Sequence, residues 1–398
     1  MPQLSSLPGE IRHLRVALLL TFFVKGAATA SWASRIPAIQ LSVGLSNSEL
    51  GLVLIGLACG LIGALSVAGN LVLKHGSRTI AIVSVIAIAC VLPLLGFMPS
   101  AFSLSVTLFC WGFIQSVMDV AINTQALDIQ RRAGRPLMTS FHAAFSFGYF
   151  GGAGVGSLMI ALGSSPAVHY LIVAPAFLAL SLPMVWSLPH LDEGDTDDVR
   201  GPVFRLPSLA VLPFGIAAFA ATFVESVVND WSGLYMRDTV QAGAVFHPAG
   251  VVAFAACMAV GRLAGDALTT LLSARTVVRL GGIITTLGLV GVISFPSVGA
   301  VVAGCAAAGL GVGTVVPLSF SAVGTKTRLP SGVAIAGVAT IGYAGFLVSP
   351  PIVGIVSQAV SLRAALAVVV CVASALIAMA RWFPSTQTGK DRHNVKLT

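Results

Sequence analysis

Twelve runs of mostly apolar residues, each about as long as a lipid bilayer is thick, constrain this chain more than any other feature. They fall roughly at 14–35, 48–72, 79–98, 101–127, 137–161, 167–187, 208–235, 248–271, 277–296, 299–323, 331–356 and 361–383. A helix rises about 1.5 Å per residue, so about 20 apolar residues cross the roughly 30 Å hydrocarbon core. Transmembrane strands would instead show alternating segments of about ten residues, which these runs do not. Only 9% of the residues are charged and 56% are hydrophobic, against about 25% charged in soluble domains. The chain is therefore predicted to be an all-α membrane protein. Its 42 glycines read as close-packing positions between membrane helices, where small residues let backbones approach.

The net charge of +8 would suggest nucleic acid in a soluble protein, but its distribution points to topology instead. With both termini in the cytoplasm, seventeen Lys and Arg fall on cytoplasmic segments and three (Arg35, Arg237, Arg363) on the other side, leaving Lys25 and Arg262 inside spans. That bias sets orientation by the positive-inside rule, and an even number of spans returns both ends to one side. The expected location is a bacterial inner membrane. The first run follows a short basic start but is too long for a signal peptide, so it reads as a retained helix. All six cysteines lie in apolar runs without C-x-x-C spacing, which indicates neither disulfides nor a metal site. No nucleophile–base pair stands out, so neither an enzyme nor a cofactor is expected.

Residues 188–207 form a polar cytoplasmic linker between two halves, 1–187 and 208–398. The halves read as copies. Ser31-Trp32-Ala33-Ser34 is answered by Asp230-Trp231-Ser232-Gly233, Ala68-Gly69-Asn70 by Ala264-Gly265-Asp266, Cys110 by Cys305, and Gly148-Tyr149 by Gly342-Tyr343. Matches in order at nearly constant spacing predict a parallel repeat of two six-helix bundles, the plan of transporters that rock two halves about a midplane site.

Polar residues inside the spans are the functional candidates, because they are costly in lipid and usually face a bundle interior or a wet cavity. Gln115, Asp119 and Asn123 recur every four residues and share one helical face. Lys25 lies near mid-membrane, beyond easy snorkelling. It is expected to pair with Asp119 or with Glu225, the residue beside its repeat position; direct contact with an anionic substrate is the alternative. Asp119, Glu225 and Lys25 are the expected proton-coupling groups. Gln115, Asn123, His142 and Asn229 are expected to bond a polar substrate, with Trp32 and Trp231 either stacking on it or anchoring helix ends. Arg35 and Asp230 are expected near the wet outer ends, as caps or gate contacts. An Arg262–Asp266 contact one turn apart is expected to help gate. Gly148 to Gly156 and Gly309-Leu310-Gly311-Val312-Gly313 lack nucleotide-loop spacing and read as packing positions. Pro317 and the Pro350-Pro351 pair are expected to kink their helices.

Between the second and third spans, Gly69-Asn70-Leu71-Val72-Leu73-Lys74-His75-Gly76-Ser77-Arg78 resembles the loop signature of the major facilitator superfamily, with Leu73 where the family carries Asp. Lys74 and Arg78 would then be gating residues. Asp119 with Asn123, then Gly134-Arg135-Pro136 and Ser140-Phe141-His142-Ala143 before Gly148, is similar to the bacterial branch allied to the fucose and glucose proton symporters. So is Phe223-Val224-Glu225 leading to Asp230-Trp231-Ser232. The resemblance implies that spans 1, 4, 7 and 10 line a cavity and that Asp119, four residues before Asn123, takes part in proton coupling. It also matches His142 to an Asn of the sugar symporters. The expectation is a monomeric, proton-coupled carrier of a sugar or related polar metabolite. The alternatives are an efflux antiporter for amphipathic compounds or, from another class, a non-transporting receptor.

Overall fold

The computed structural model describes residues 9–133, 137–190, 209–327 and 331–385. Most of the linker, together with Gly134-Arg135-Pro136, lies outside them. Among the described residues, twelve helical spans are long and apolar enough to cross a membrane, and they match the twelve apolar runs. The described residues cluster into two compact units, 9–45 with 52–190 and 46–51 with 209–385.

The first unit is built from α1 (Gly9–Ala33), α2 (Ile36–Val43), most of α3 (Asn47–His75), α4 (Ser77–Leu94), α5 (Ala101–Ala133), α6 (Met138–Ala161) and α7 (Pro166–Trp186). The second holds α8 (Leu212–Asp238), α9 (Ala249–Leu272), α10 (Ala274–Ser294), α11 (Val298–Val312), α12 (Val315–Lys326), α13 (Ser331–Ala359) and α14 (Leu362–Met379). Local chemistry sets several ends. The α3 start is a reciprocal capping box: the Ser46 amide and hydroxyl both donate to Glu49 Oε2 at 2.8 Å, and the Glu49 amide donates to Ser46 Oγ at 3.2 Å. Ser165, followed by Pro166, caps α7 in the same spirit.

The internal repeat is visible inside each unit. In the first, α1 packs along α6 and α4 against α5 and α7; in the second, α8 packs along α13 and α10 against α11 and α14. Close approaches recur at matching places. A Cβ at Gly112 would lie 2.3 Å from the Leu57 carbonyl oxygen, and one at Gly309 would lie 2.2 Å from that of Phe254. The α3–α4 turn places Gly76 at φ 78°, and the α9–α10 turn places Ser273 at φ 78° as well. Glycine reaches that conformation without cost whereas serine is strained there, so the fold imposes the turn on both copies.

Turns shape two of the spans. The tenth run is not one helix, because α11 ends at Val312 and α12 starts at Val315. Gly309, Gly311 and Gly313 weaken the helix there, and Pro317 removes a backbone donor from the first turn of α12. The first run ends as expected, with α1 stopping at Ala33 and a turn at Ser34-Arg35; beyond it lies the short α2, with Pro37 at its start and Gly44 at φ 75° at its end. Pro350 and Pro351, in contrast, sit inside a continuous α13.

Candidate functional site

The polar residues of the first unit converge on the α1–α5 contact. Lys25 Nζ lies 2.7 Å from Asp119 Oδ1, with the lysine side chain 7% exposed and the aspartate 45% exposed. Four residues further along α1, Thr29 Oγ1 accepts a 3.0 Å hydrogen bond from Gln115 Nε2, while itself donating to the Lys25 carbonyl. Two pairs at matching i, i+4 steps thus lace α1 to α5. Asn123, the third residue on that face, turns back and donates to the Asp119 carbonyl at 2.8 Å.

The ammonium of Lys25 also sits 5.0 Å from the centre of the Phe145 ring, a cation–π contact. Its placement follows from the glycine after it. A Cβ at Gly26 would lie 2.1 Å from the Phe145 carbonyl oxygen, so the α1 and α6 backbones touch beside Lys25 and bring the ring to it. The stem of Lys25 borders a small apolar recess with Val24, Val85, Ile88 and Met118. Apart from the carboxylate, the surroundings are a poor solvent for a cation. The carboxylate itself faces open space on one side, so the pair is buried at one partner and accessible at the other.

Other candidates are distributed more widely. His142 is exposed and stands edge-on to Phe22 at 5.6 Å. Trp32 and Trp231 are 2% and 1% exposed, so both are interior side chains and present no ring face to solvent. Lys74 is exposed and Arg78 half-buried at the α3–α4 turn. Arg35 corrects an expectation outright: instead of standing in water it is 3% exposed, because the α1–α2 turn folds it inward onto α7. There its Nε donates to His169 Nδ1 at 3.0 Å.

In the second unit Glu225 is within electrostatic reach of Arg262, whose Nε also donates to the Gly313 carbonyl at 3.4 Å. The expected Arg262–Asp266 contact involves a side chain outside the described ones. Asp230 Oδ2 accepts from Ser226 Oγ at 3.1 Å, and Asn229 has its Oδ1 buried without a hydrogen-bond partner. Lys25 pairs with Asp119, the first of the two acids considered for it.

Sequence reasoning missed Thr29, Phe145 and the Arg35–His169 contact. Thr29 carried a signal, standing one turn from Lys25 on α1. Phe145 carried none, as one of 21 phenylalanines in an apolar chain.

Comparison with known proteins agrees with this architecture. Residues 17–328 match the family model described as the Major Facilitator Superfamily. An uncharacterised MFS-type transporter of Yersinia pestis is 31% identical over 366 residues, covering 92% of this chain and 94% of that protein. Among solved structures, a bacterial homologue of the human lysosomal transporter Spinster, inward-facing and unoccupied, superposes with a TM-score of 0.73 at 13% identity, covering 95% of this chain and 98% of that one. The nucleoside transporter NupG gives a TM-score of 0.71 at 13% identity, covering 94% and 98%. The chain is a multi-pass membrane protein of the major facilitator superfamily, and hence a secondary transporter.

Proposed function

We propose that this transporter moves a small polar solute, a sugar or related metabolite, by alternating access coupled to protons, with Asp119 as the proton-carrying group. The observation behind this reading is the asymmetry of the Lys25–Asp119 pair: a buried ammonium held by a carboxylate that is itself 45% exposed. A proton arriving on that carboxylate removes the charge that offsets the buried cation. Protonation and the packing of α1 on α5 are therefore energetically linked, as coupling requires. Lys25 holds Asp119 in an ion pair, and Glu225 is a second acid in the other half. Gln115, Asn123, His142 and Asn229 supply hydrogen bonds to the solute. The NupG fold neighbour is named for nucleosides, which belong to the same polar class. Lys74, Arg78, Arg262 and Asp266 are assigned to gating. The lysine and arginine bias supports cytoplasmic termini in a bacterial inner membrane.

The test is a thermal-shift screen of the purified protein against sugars, nucleosides, amino acids and amphipathic drugs at two pH values. A ligand that binds the folded state raises its melting temperature by mass action. The expected result is stabilisation by a member of the sugar or nucleoside panel, larger at one pH than the other. Stabilisation by amphipathic compounds alone would reverse the substrate assignment, and pH-independent binding with no proton flux in proteoliposomes would reverse the coupling.

A further inference from the structure

Pro317 leaves a gap in the backbone hydrogen bonding of the tenth span. In an α-helix the carbonyl of residue 313 accepts from the amide of residue 317. Here residue 317 is proline, which has no N–H. The next amide is taken as well, because Leu318 N donates to the Thr314 carbonyl at 3.0 Å. Gly313 is buried, and a carbonyl without its donor is costly inside a membrane span unless a neighbouring helix supplies one.

Arg262 of α9 approaches this carbonyl. Its Nε donates to the Gly313 carbonyl at 3.4 Å, a long hydrogen bond strengthened by the guanidinium charge. Backbone packing fixes the approach. A Cβ at Gly261 would lie 2.8 Å from the Leu310 carbonyl oxygen, one at Gly265 2.8 Å from Thr314 Cγ2, and one at Gly313 3.0 Å from the Met258 carbonyl oxygen. Arg262 thus stands between two glycines that hold α9 against the residues flanking the break. The two copies of the repeat differ together here. The correspondence of Cys110 with Cys305 sets Ile122 opposite Pro317, and that of Ala68 with Ala264 sets Ser66 opposite Arg262. Where the proline is missing, α5 runs unbroken from Ala101 to Ala133, and the arginine is missing too.

We propose that Arg262 is a positioning residue whose Nε–H stands in for the amide that Pro317 lacks, and so holds the bend of the tenth span. The bend sets the course of α12 as it leaves α11 and packs against α8, which carries Glu225 and Asn229. Glu225 is within electrostatic reach of the same guanidinium, so one side chain ties the acid of α8 to the backbone of the bend. The gating role proposed above for Arg262 thereby acquires a definite partner, the Gly313 carbonyl. Neither solute nor proton gradient enters the test, so its outcome is separate from that of the coupling assignment.

Melting temperatures are measured for full-length variants in nanodiscs. Glutamine and methionine both match arginine out to the position of Nε; glutamine keeps a donor there, methionine does not, and both lose the charge. Arg262→Met is expected to melt about 2–4 °C below Arg262→Gln. In a Pro317→Ala background, where residue 317 brings its own N–H, the two are expected to melt together. Loss of the charge beside Glu225 is common to both variants and cancels in this comparison. Should Arg262→Met fail to fold by itself, Pro317→Ala is expected to restore its folding. A gap that persists in the Pro317→Ala background overturns the proposal, as does no gap in either background or an Arg262→Met protein that folds in neither. A Pro317→Ala protein that does not fold overturns it too, since the span would then require the bend whatever donor Gly313 has.

Discussion

Asp119→Asn is expected to abolish proton-driven accumulation, so that the internal-to-external solute ratio in proteoliposomes under a pH gradient falls to about one. Counterflow exchange of labelled for unlabelled solute persists within about twofold. Every tenfold of accumulation is worth about 1.4 kcal/mol, and only a group that changes charge during the cycle can draw that energy from the proton gradient. Asn keeps the shape and an acceptor oxygen for Lys25 Nζ but cannot titrate. The stability effects of the two partners differ with burial. Removing the acid strands an ammonium that is 7% exposed, against which the penalty for an unpaired buried charge approaches about 3 kcal/mol. Removing the base with Lys25→Met leaves a carboxylate that is 45% exposed and solvated, so the cost is about 1 kcal/mol or less. Loss of both accumulation and exchange in a well-folded Asp119→Asn protein would identify a structural acid and defeat the coupling assignment.

The reasons some of this was legible and some was not are physical. Spans follow from the cost of unsatisfied backbone in lipid, which acts on every residue of a run and therefore shows in composition. The repeat shows because close-packing glycines leave marks at fixed offsets, as Gly148 and Gly342 do, whereas the serine hides the Gly76–Ser273 correspondence. Lys25 and Asp119 stood out because charge inside a span is rare, and the geometry left few acids within reach of the lysine. The turn inside the tenth run was not legible, because Gly313-Thr314 lies within a long apolar stretch and a two-residue turn does not alter an average over twenty. Arg35 was placed in water on the rule that charges near helix ends face the interface. The rule failed because the α1–α2 turn sets Arg35 against His169 of α7, a tertiary contact without a local signature. Phe145 and Thr29 take their roles from which helix lies alongside, and neighbours in space are not written in any one segment.

Gly148→Ala is expected to be among the most damaging single-methyl additions in the first unit, by a mechanism that also tests how Lys25 is held. A Cβ at Gly148 would lie 1.8 Å from the Phe23 carbonyl oxygen, and at neighbouring Gly152 it would lie 2.3 Å from that of Ala27. The obstacle in both cases is backbone, which cannot swing aside as a side-chain tip can. Alanine gains up to about 1 kcal/mol over glycine from helix propensity, whereas overpacking a tight contact costs about 1–3 kcal/mol and more when only backbone can yield. Overpacking wins, and the melting temperature falls by several degrees. Gly154, on the same helix but with nothing within 4 Å of its would-be Cβ, supplies the opposite sign: Gly154→Ala is neutral or stabilising by up to about 1 kcal/mol. Because Phe23 flanks Lys25 and Gly26 on α1, forcing α6 away at Gly148 also draws Phe145 off the ammonium. Gly148→Ala should therefore impair proton coupling while Gly154→Ala leaves it intact. Equal melting temperatures for the two variants would mean that the α1–α6 contact is looser than these distances imply.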